Sequence, residues 1–315
     1  MWIADGWKEY LVLDTGDGEK LERWGDYTLV RPDPQVIWGC DHAHPAWKTW
    51  QGHYHRSEKG GGEWEFRNLP EQWSISYRLH ALSDLTGADR MLTFHLKPFA
   101  FKHTGLFPEQ AANWEWFTPL IAEKIRSFRE AGSDREFKVL NLFAYTGGAT
   151  IAAAAAGAFV THVDASKGMV TWAKENAQSS GIAPDRIRWL VDDCGKLVER
   201  EIRRGNRYDA IIMDPPSYGR GPKGELWKLE ESLWPFLENA VRLLSDDASF
   251  FLLNSYTTGL QPGGLRYMLS TLLSGRGMEV EAEEIGLPLA EPGDALRILP
   301  CGAAGRARSI QTRSK

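Results

Sequence analysis

From about residue 117 onward, short apolar runs alternate with segments of helical length, and this alternation constrains the fold more than any other feature of the chain. Residues 117–131 are expected to be helical and to end at Gly132. Residues 138–144 (KVLNLFA) have the length and apolar content of a buried strand, followed by Gly147-Gly148 and an alanine-rich helix ending near Gly157. A strand over 159–165 and a helix over 167–180 closed by Gly181 follow. Further strands are expected over 187–193, 208–214 and 248–255, with helical segments around 195–204, 227–244 and 263–274. Strands separated by helices of this length imply βαβ units and a parallel sheet covered on both faces. Residues 278–285 and 295–301 are expected to add two last strands as a terminal hairpin.

The first part of the chain has a different texture. Ten of the 14 tryptophans and seven of the eight histidines lie in residues 1–116. Turn signals recur at Asp14-Thr-Gly-Asp-Gly18, Arg31-Pro-Asp-Pro34 and Gly60-Gly-Gly62. Between them lie short alternating or aromatic runs at 27–30, 73–77 and 91–96. This pattern predicts small β-structure with hairpins. The expected organisation is an aromatic, β-rich domain over 1–115 and an α/β domain over 116–315. A chain of 315 residues with 43% hydrophobic content can bury a sizeable core in each. Trp24, Trp38, Trp47, Trp50, Trp64 and Trp73 read first as the small domain's own core and second as a stacking platform.

Several classes of function are disfavoured. No apolar run reaches membrane-spanning length, and the start, MWIADGWKEY, lacks the features of a secretion signal. Cys40, Cys194 and Cys301 are too scattered for a disulfide framework, which points to a reducing cytoplasm. His42-x-His44 and His53-x-His55 have metal-like spacing, but without a cysteine or carboxylate framework no metal site is expected. The net charge of −5 offers little support for a nucleic-acid partner. Acidic residues cluster over 278–294 (Glu279, Glu281, Glu283, Glu284, Glu291, Asp294). The Arg297, Arg306, Arg308, Arg313 and Lys315 segment that follows reads as a solvated terminus.

Ligands of an open α/β sheet sit at the carboxyl ends of its strands, and three informative segments fall there. Asn141-Leu-Phe-Ala-Tyr-Thr-Gly-Gly148 ends the first strand, where glycine permits a sharp turn close to a ligand. Asp164 ends the second strand, 17 residues after Gly147, where a carboxylate can accept both hydroxyls of a ribose. A helix N-cap is the competing role for Asp164, and Ser166 can fill that role instead. Asp192-Asp193-Cys194 ends the third strand, where an acid can reach an adenine amino group or cap the next helix. A nicotinamide dehydrogenase also uses an acidic ribose ligand, but AYTGG is not the GxGxxG turn that cradles a pyrophosphate. The fourth strand ends in Asp214-Pro-Pro-Ser-Tyr218, and two prolines fix a rigid extended turn where a substrate would approach.

NLFAYTGG, VDAS, DDC and DPPSYGRG, in this order and spacing, resemble the class I S-adenosylmethionine-dependent methyltransferases. More narrowly, they resemble the bacterial 23S ribosomal RNA methyltransferase-like family that includes a cytosine-5 enzyme. The likeness spans about residues 90–260 and includes His103-Thr-Gly-Leu-Phe-Pro-Glu-Gln110. It implies a Rossmann-like class I methyltransferase sheet with helices on both faces and S-adenosyl-L-methionine (SAM) as cofactor. By the same resemblance, Phe143, Tyr145, Thr146 and Gly147 line the methionine side, Asp164 with Ala165 and Ser166 the ribose, and Asp193 with Cys194 the adenine edge. Asp214 and Pro215 face the reactive methyl, and Thr104, Phe107 and Gln110 close the pocket from the other side.

Methylation of cytosine C5 requires covalent attack by a thiolate. The family's cytosine-5 member carries that cysteine after the fifth strand, where this chain reads Leu253-Asn-Ser-Tyr-Thr-Thr-Gly-Leu260. Cys40, Cys194 and Cys301 read as small packed residues. Direct transfer to a ring nitrogen, an exocyclic amine or a hydroxyl is therefore expected, with Asp214 orienting or deprotonating the acceptor. Tyr218 either stacks on a base or packs under a loop. RNA, above all ribosomal RNA, is the expected substrate. A small-molecule or protein methyltransferase, or a non-catalytic SAM-binding regulator, is the alternative.

Overall fold

The computed structural model describes residues 1–57, 61–99, 102–222, 224–290 and 297–310. Gly60, Glu291, Asp294, Arg313 and Lys315 lie outside the described residues. In chain order the strands and helices are β1 (Trp2–Ile3), β2 (Tyr10–Gly16), β3 (Glu19–Trp24), β4 (Tyr27–Pro32), β5 (Gly52–Arg56), β6 (Gly62–Phe66), β7 (Trp73–Arg78), α1 (His80–Thr86), β8 (Met91–Leu96) and α2 (Ala111–Glu130). Then come β9 (Lys138–Leu142), α3 (Gly148–Ala155), β10 (Phe159–Asp164), α4 (Lys167–Ser179), β11 (Ile187–Val191), α5 (Cys194–Arg203) and β12 (Ala210–Met213). The chain continues through β13 (Tyr218–Arg220), β14 (Leu226–Lys228), α6 (Leu229–Ala240), β15 (Phe250–Ser255), α7 (Pro262–Leu272), β16 (Met278–Pro288) and β17 (Ile298–Ser309).

Two compact units result. The first comprises Met1–Arg78, Met91–Ala112 and Ile285–Cys301; the second comprises Leu79–Arg90, Asn113–Glu284 and Gly302–Lys315. The polypeptide crosses between them several times.

In the first unit, β2 to β6 form a five-stranded sheet in sequence order, antiparallel except for the parallel pair β4–β5. β7 and β8 form a separate antiparallel pair. Trp24 and Trp50 are buried, Trp47, Trp64 and Trp73 are half-buried, and Trp38 is exposed. The aromatic residues thus contribute to both core and surface. A buried charge cluster threads the sheet. Glu22 is fully buried, accepts the Tyr10 hydroxyl at 2.7 Å, and receives Arg31 through Nε at 2.6 Å and Nη2 at 2.8 Å. The two-pronged guanidinium satisfies a carboxylate that would be very costly to bury alone.

In the second unit the strand order is β17-β15-β12-β9-β10-β11. All neighbours pair in parallel except β15 and β17, which are antiparallel. Strand order reverses at β9, which lies between β10 and β12, and a ligand crevice is expected at the carboxyl ends of these strands. Leu140, Leu142, Met213, Leu233, Leu237 and Leu253 belong to the apolar cluster that anchors the strands.

α2, α1, the β13–β14 hairpin and the basic segment near the end of the chain differ from expectation. α2 begins at Ala111 and keeps Pro119 in its interior. α1 was not anticipated; its first two amides donate to the Glu115 carboxylate at 2.8 and 2.6 Å, a cap supplied from α2 rather than from its own flank. The basic segment after Arg297 is not a solvated terminus, because β17 pairs with β15 from Ala303 to Arg308. Arg306 is buried, donates through Nε to Asn113 Oδ1 at 2.9 Å and lies over the Trp116 ring. Desolvation holds its guanidinium below the usual range, at about 9.

Candidate active site

The turn after β9 is the most constrained backbone in the second unit. Phe143 and Tyr145 have φ of 56° and 51°, and Gly147 follows at 85°. Non-glycine residues in this region carry strain, which persists only where the surroundings fix it. Here Phe143 N–H donates to Cys194 Sγ at 3.3 Å, and Ala144 N–H donates to the Val163 carbonyl at 3.0 Å. Tyr145 N–H donates to Asp164 Oδ2 at 2.8 Å, and the Thr146 carbonyl accepts Asn176 Nδ2 at 3.0 Å. The end of β10, the start of α5 and helix α4 therefore mould the turn. Gly147 has no room for a side chain, since a Cβ would lie 2.9 Å from that of Ala173.

Asp164 stands at the end of β10 with Oδ1 accepting Ser166 N–H at 2.8 Å. The cap of α4 is Ser166, whose hydroxyl accepts Met169 N–H, so capping does not account for Asp164. Burial pushes the Asp164 carboxyl up while the Ser166 and Tyr145 amides oppose the shift. Each carboxylate oxygen has a second lone pair, enough to accept the hydroxyls of a vicinal diol. Ala165 is half-buried and Ser166 exposed beside it.

Asp193 does cap a helix: its Oδ1 accepts Lys196 N–H at 2.9 Å at the start of α5. Its other oxygen lies 2.9 Å from where a Gly221 Cβ would stand. Asp192 is engaged by Arg200. Cys194 is buried, and burial pushes its thiol well above the usual range.

Asp214 directly follows β12 and is half-buried, with its N–H 3.4 Å from the Leu142 carbonyl of β9. Pro215 is buried and Pro216 exposed. The Pro216 carbonyl accepts Trp227 Nε1 at 2.6 Å, and Ser217 Oγ meets Thr257 Oγ1 at 2.6 Å. Tyr218 opens the β13–β14 hairpin with 57% of its surface exposed, so it is not packed under a loop. Trp227, which the sequence did not single out, packs against Phe143 with ring centroids 4.9 Å apart and the planes tilted by 56°, and thus touches both the β9 turn and the Asp-Pro-Pro turn.

Phe143, Tyr145, Thr146, Gly147, Asp164, Asp193, Cys194 and Asp214 all lie at the carboxyl ends of neighbouring strands. This donor set suits a nucleoside, with carboxylates for hydroxyl or amine donors. Thr104, Phe107 and Gln110 lie in the first unit. Thr104 is fully buried, and its hydroxyl has no hydrogen-bond partner among the described residues; Phe107 is half-buried and Gln110 buried.

The family model for S-adenosylmethionine-dependent methyltransferases matches residues 117–226. The crystal structure of a SAM-dependent methyltransferase from Agrobacterium tumefaciens is 34% identical with a TM-score of 0.85, covering 98% of this chain and 93% of that one. A putative SAM-dependent methyltransferase from Streptococcus mutans shares the fold, with a TM-score of 0.66 at 16% identity over 95% of this chain and 75% of that one. Ribosomal RNA large subunit methyltransferase K of Neisseria meningitidis is 32% identical over 120 residues, which are 38% of this chain and 34% of that protein. A K/L enzyme of Shewanella frigidimarina is 32% identical over 119 residues, 37% of this chain and 16% of that protein. The chain thus spans about a third or less of the curated relatives it matches. Likeness to the Agrobacterium enzyme over nearly the whole of both chains, together with the strand-end acids at the sheet's switch point, places this chain in the SAM-dependent methyltransferase family.

Proposed function

We propose that this chain methylates RNA, with ribosomal RNA as the substrate class, by direct transfer and without a covalent cysteine intermediate. The observation that carries the reading is the Asp214-Pro-Pro turn, held beside the β9 turn by Trp227, with Tyr218 exposed next to it. The large-subunit ribosomal RNA methyltransferases among the relatives support the choice of acceptor.

SAM, when bound, supplies an activated methyl sulfonium. Asp164, with Ala165 and Ser166 beside it, accepts the ribose hydroxyls, and Asp193 with Cys194 borders the adenine. Phe143, Tyr145, Thr146 and Gly147 line the methionine side. Thr104, Phe107 and Gln110 are assigned to the cofactor on the resemblance of their segment. Asp214 orients the acceptor group or takes its proton, Pro215 fixes that carboxylate, and Tyr218 stacks on an unpaired base. Alignment is the larger part of the work because the methyl donor is already reactive. Burial raises the Cys40 thiol and pushes those of Cys194 and Cys301 well above the usual range, which disfavours a thiolate nucleophile. The transfer chemistry belongs to the part of the chain from residue 116 onward, and the work is done in the cytoplasm.

Incubating the chain with labelled SAM and a cell extract tests the acceptor class. Label that is sensitive to ribonuclease and resistant to protease supports RNA. Protease-sensitive or small-molecule label replaces it with one of the other acceptors, and absence of label despite bound cofactor points to a regulator.

A further inference from the structure

We propose that the first unit also binds a divalent transition metal, zinc by preference, between Asp17, Cys40 and His42. One ligand atom from each lies within 4.8 Å of the others, and no other group of three His, Cys, Asp or Glu side chains converges in this way among the described residues. The histidine pairs that look metal-like in sequence are not the framework. His53 and His55 bond to Glu19 and Glu65 respectively, and His44 caps a short turn.

The fold brings the three donors together from two segments. Asp17 sits at the turn between β2 and β3, and its N–H donates to the Trp38 carbonyl at 2.8 Å, laying residues 38–42 across that turn. Gly16 allows the close approach, since a Cβ there would overlap the Cys40 side chain. His42 Nε2 and Asp17 Oδ2 are 2.7 Å apart. The Trp47 ring packs 4.5 Å from the His42 ring, and Trp47 Nε1 is itself tied to Asp14 Oδ2 at 2.8 Å. An imidazole oriented by its neighbours is the usual arrangement around a metal-binding histidine.

Thiolate, imidazole and carboxylate are the donors zinc prefers, and the sulfur argues against calcium or magnesium. On binding, His42 moves its proton to Nδ1 and ligates through Nε2, where it now meets Asp17. Cys40 gives its proton to solvent. Bonds from sulfur, nitrogen and oxygen to the metal form, one proton is released, and the thiolate and carboxylate together balance the 2+ charge. Asp17 and His42 are exposed, leaving the fourth position to water. The metal clips residues 38–42 to the β2–β3 turn, independently of methyl transfer.

Cobalt(II) titration of the untagged full-length chain, stripped with chelator, tests this. The expected result is a sulfur-to-cobalt charge-transfer band that saturates at one metal per chain and is erased by zinc. The band is lost in Cys40→Ser, persists in Cys301→Ser, and needs at least about tenfold more cobalt in His42→Ala. Zinc should also raise the Tm of the unaltered chain but not that of Cys40→Ser, whose circular dichroism checks its folding. Absence of the band in the unaltered chain, or its survival in Cys40→Ser, overturns the proposal.

Discussion

The side chain of Asp164 accepts a hydrogen bond at 2.8 Å from the backbone N–H of Tyr145, a residue whose φ of 51° is held in the left-handed region. One carboxylate thus fixes the strained turn after β9 while standing at the strand end where a ribose would lie. Replacing Asp164 with Ala should weaken SAM binding by about tenfold to a hundredfold, since charge-assisted hydrogen bonds contribute about 1.5–3 kcal/mol. Isothermal titration calorimetry reads the change, and unchanged affinity would sink the assignment.

Gly147 is the second constraint on the same turn. Alanine there must adopt a φ of 85° and place its Cβ 2.9 Å from that of Ala173. The left-handed conformation alone costs about 1–2 kcal/mol, so Gly147→Ala should lose about 2 kcal/mol or more of stability in denaturant unfolding without cofactor. A loss below about 0.5 kcal/mol would mean that the turn relaxes freely.

In the first unit, pH acts through Glu22. Its carboxyl is lowered to about 2 against the opposing effect of burial, by Arg31 above all and then by Lys20 and Tyr10. A depressed carboxyl contributes stability that is complete above its unfolded value near 4.5 and is lost as pH falls through about 2. Glu22→Gln should remove that part of the acid limb and, by leaving Arg31 buried without its charge partner, cost about 3–5 kcal/mol at neutral pH. Unfolding followed from pH 6 to 2 checks both; an acid limb identical to that of the unaltered chain would refute the role of Glu22.

The parallel sheet was legible because buried strands such as β9 and β12 are short, mostly apolar runs, and each is followed by a glycine or proline turn. The position of the acids at strand ends was legible for the same reason, since the end of the apolar run locates the end of the strand. What the sequence concealed depends on partners distant in the chain. A strand was expected only as far as residue 301; that β17 runs on to Ser309 shows only through its pairing with β15, which buries Arg306 beside Asn113, 193 residues away. α1 is capped by Glu115, and Trp227 reaches Phe143 across the fold. The Asp17, Cys40 and His42 cluster was hidden because spacing pointed to histidine pairs, whereas the turn between β2 and β3 brings in a carboxylate from another segment.

Transfer of tritium from labelled SAM into total RNA from cells lacking this gene, beside RNA from unaltered cells, tests the central claim most directly. The purified chain should label RNA from the deletion strain and leave the already modified RNA essentially unlabelled, and Asp214→Ala should abolish that transfer while retaining cofactor binding. Equal labelling of both RNAs, or none of either while SAM is bound, would contradict the assignment of RNA as the acceptor.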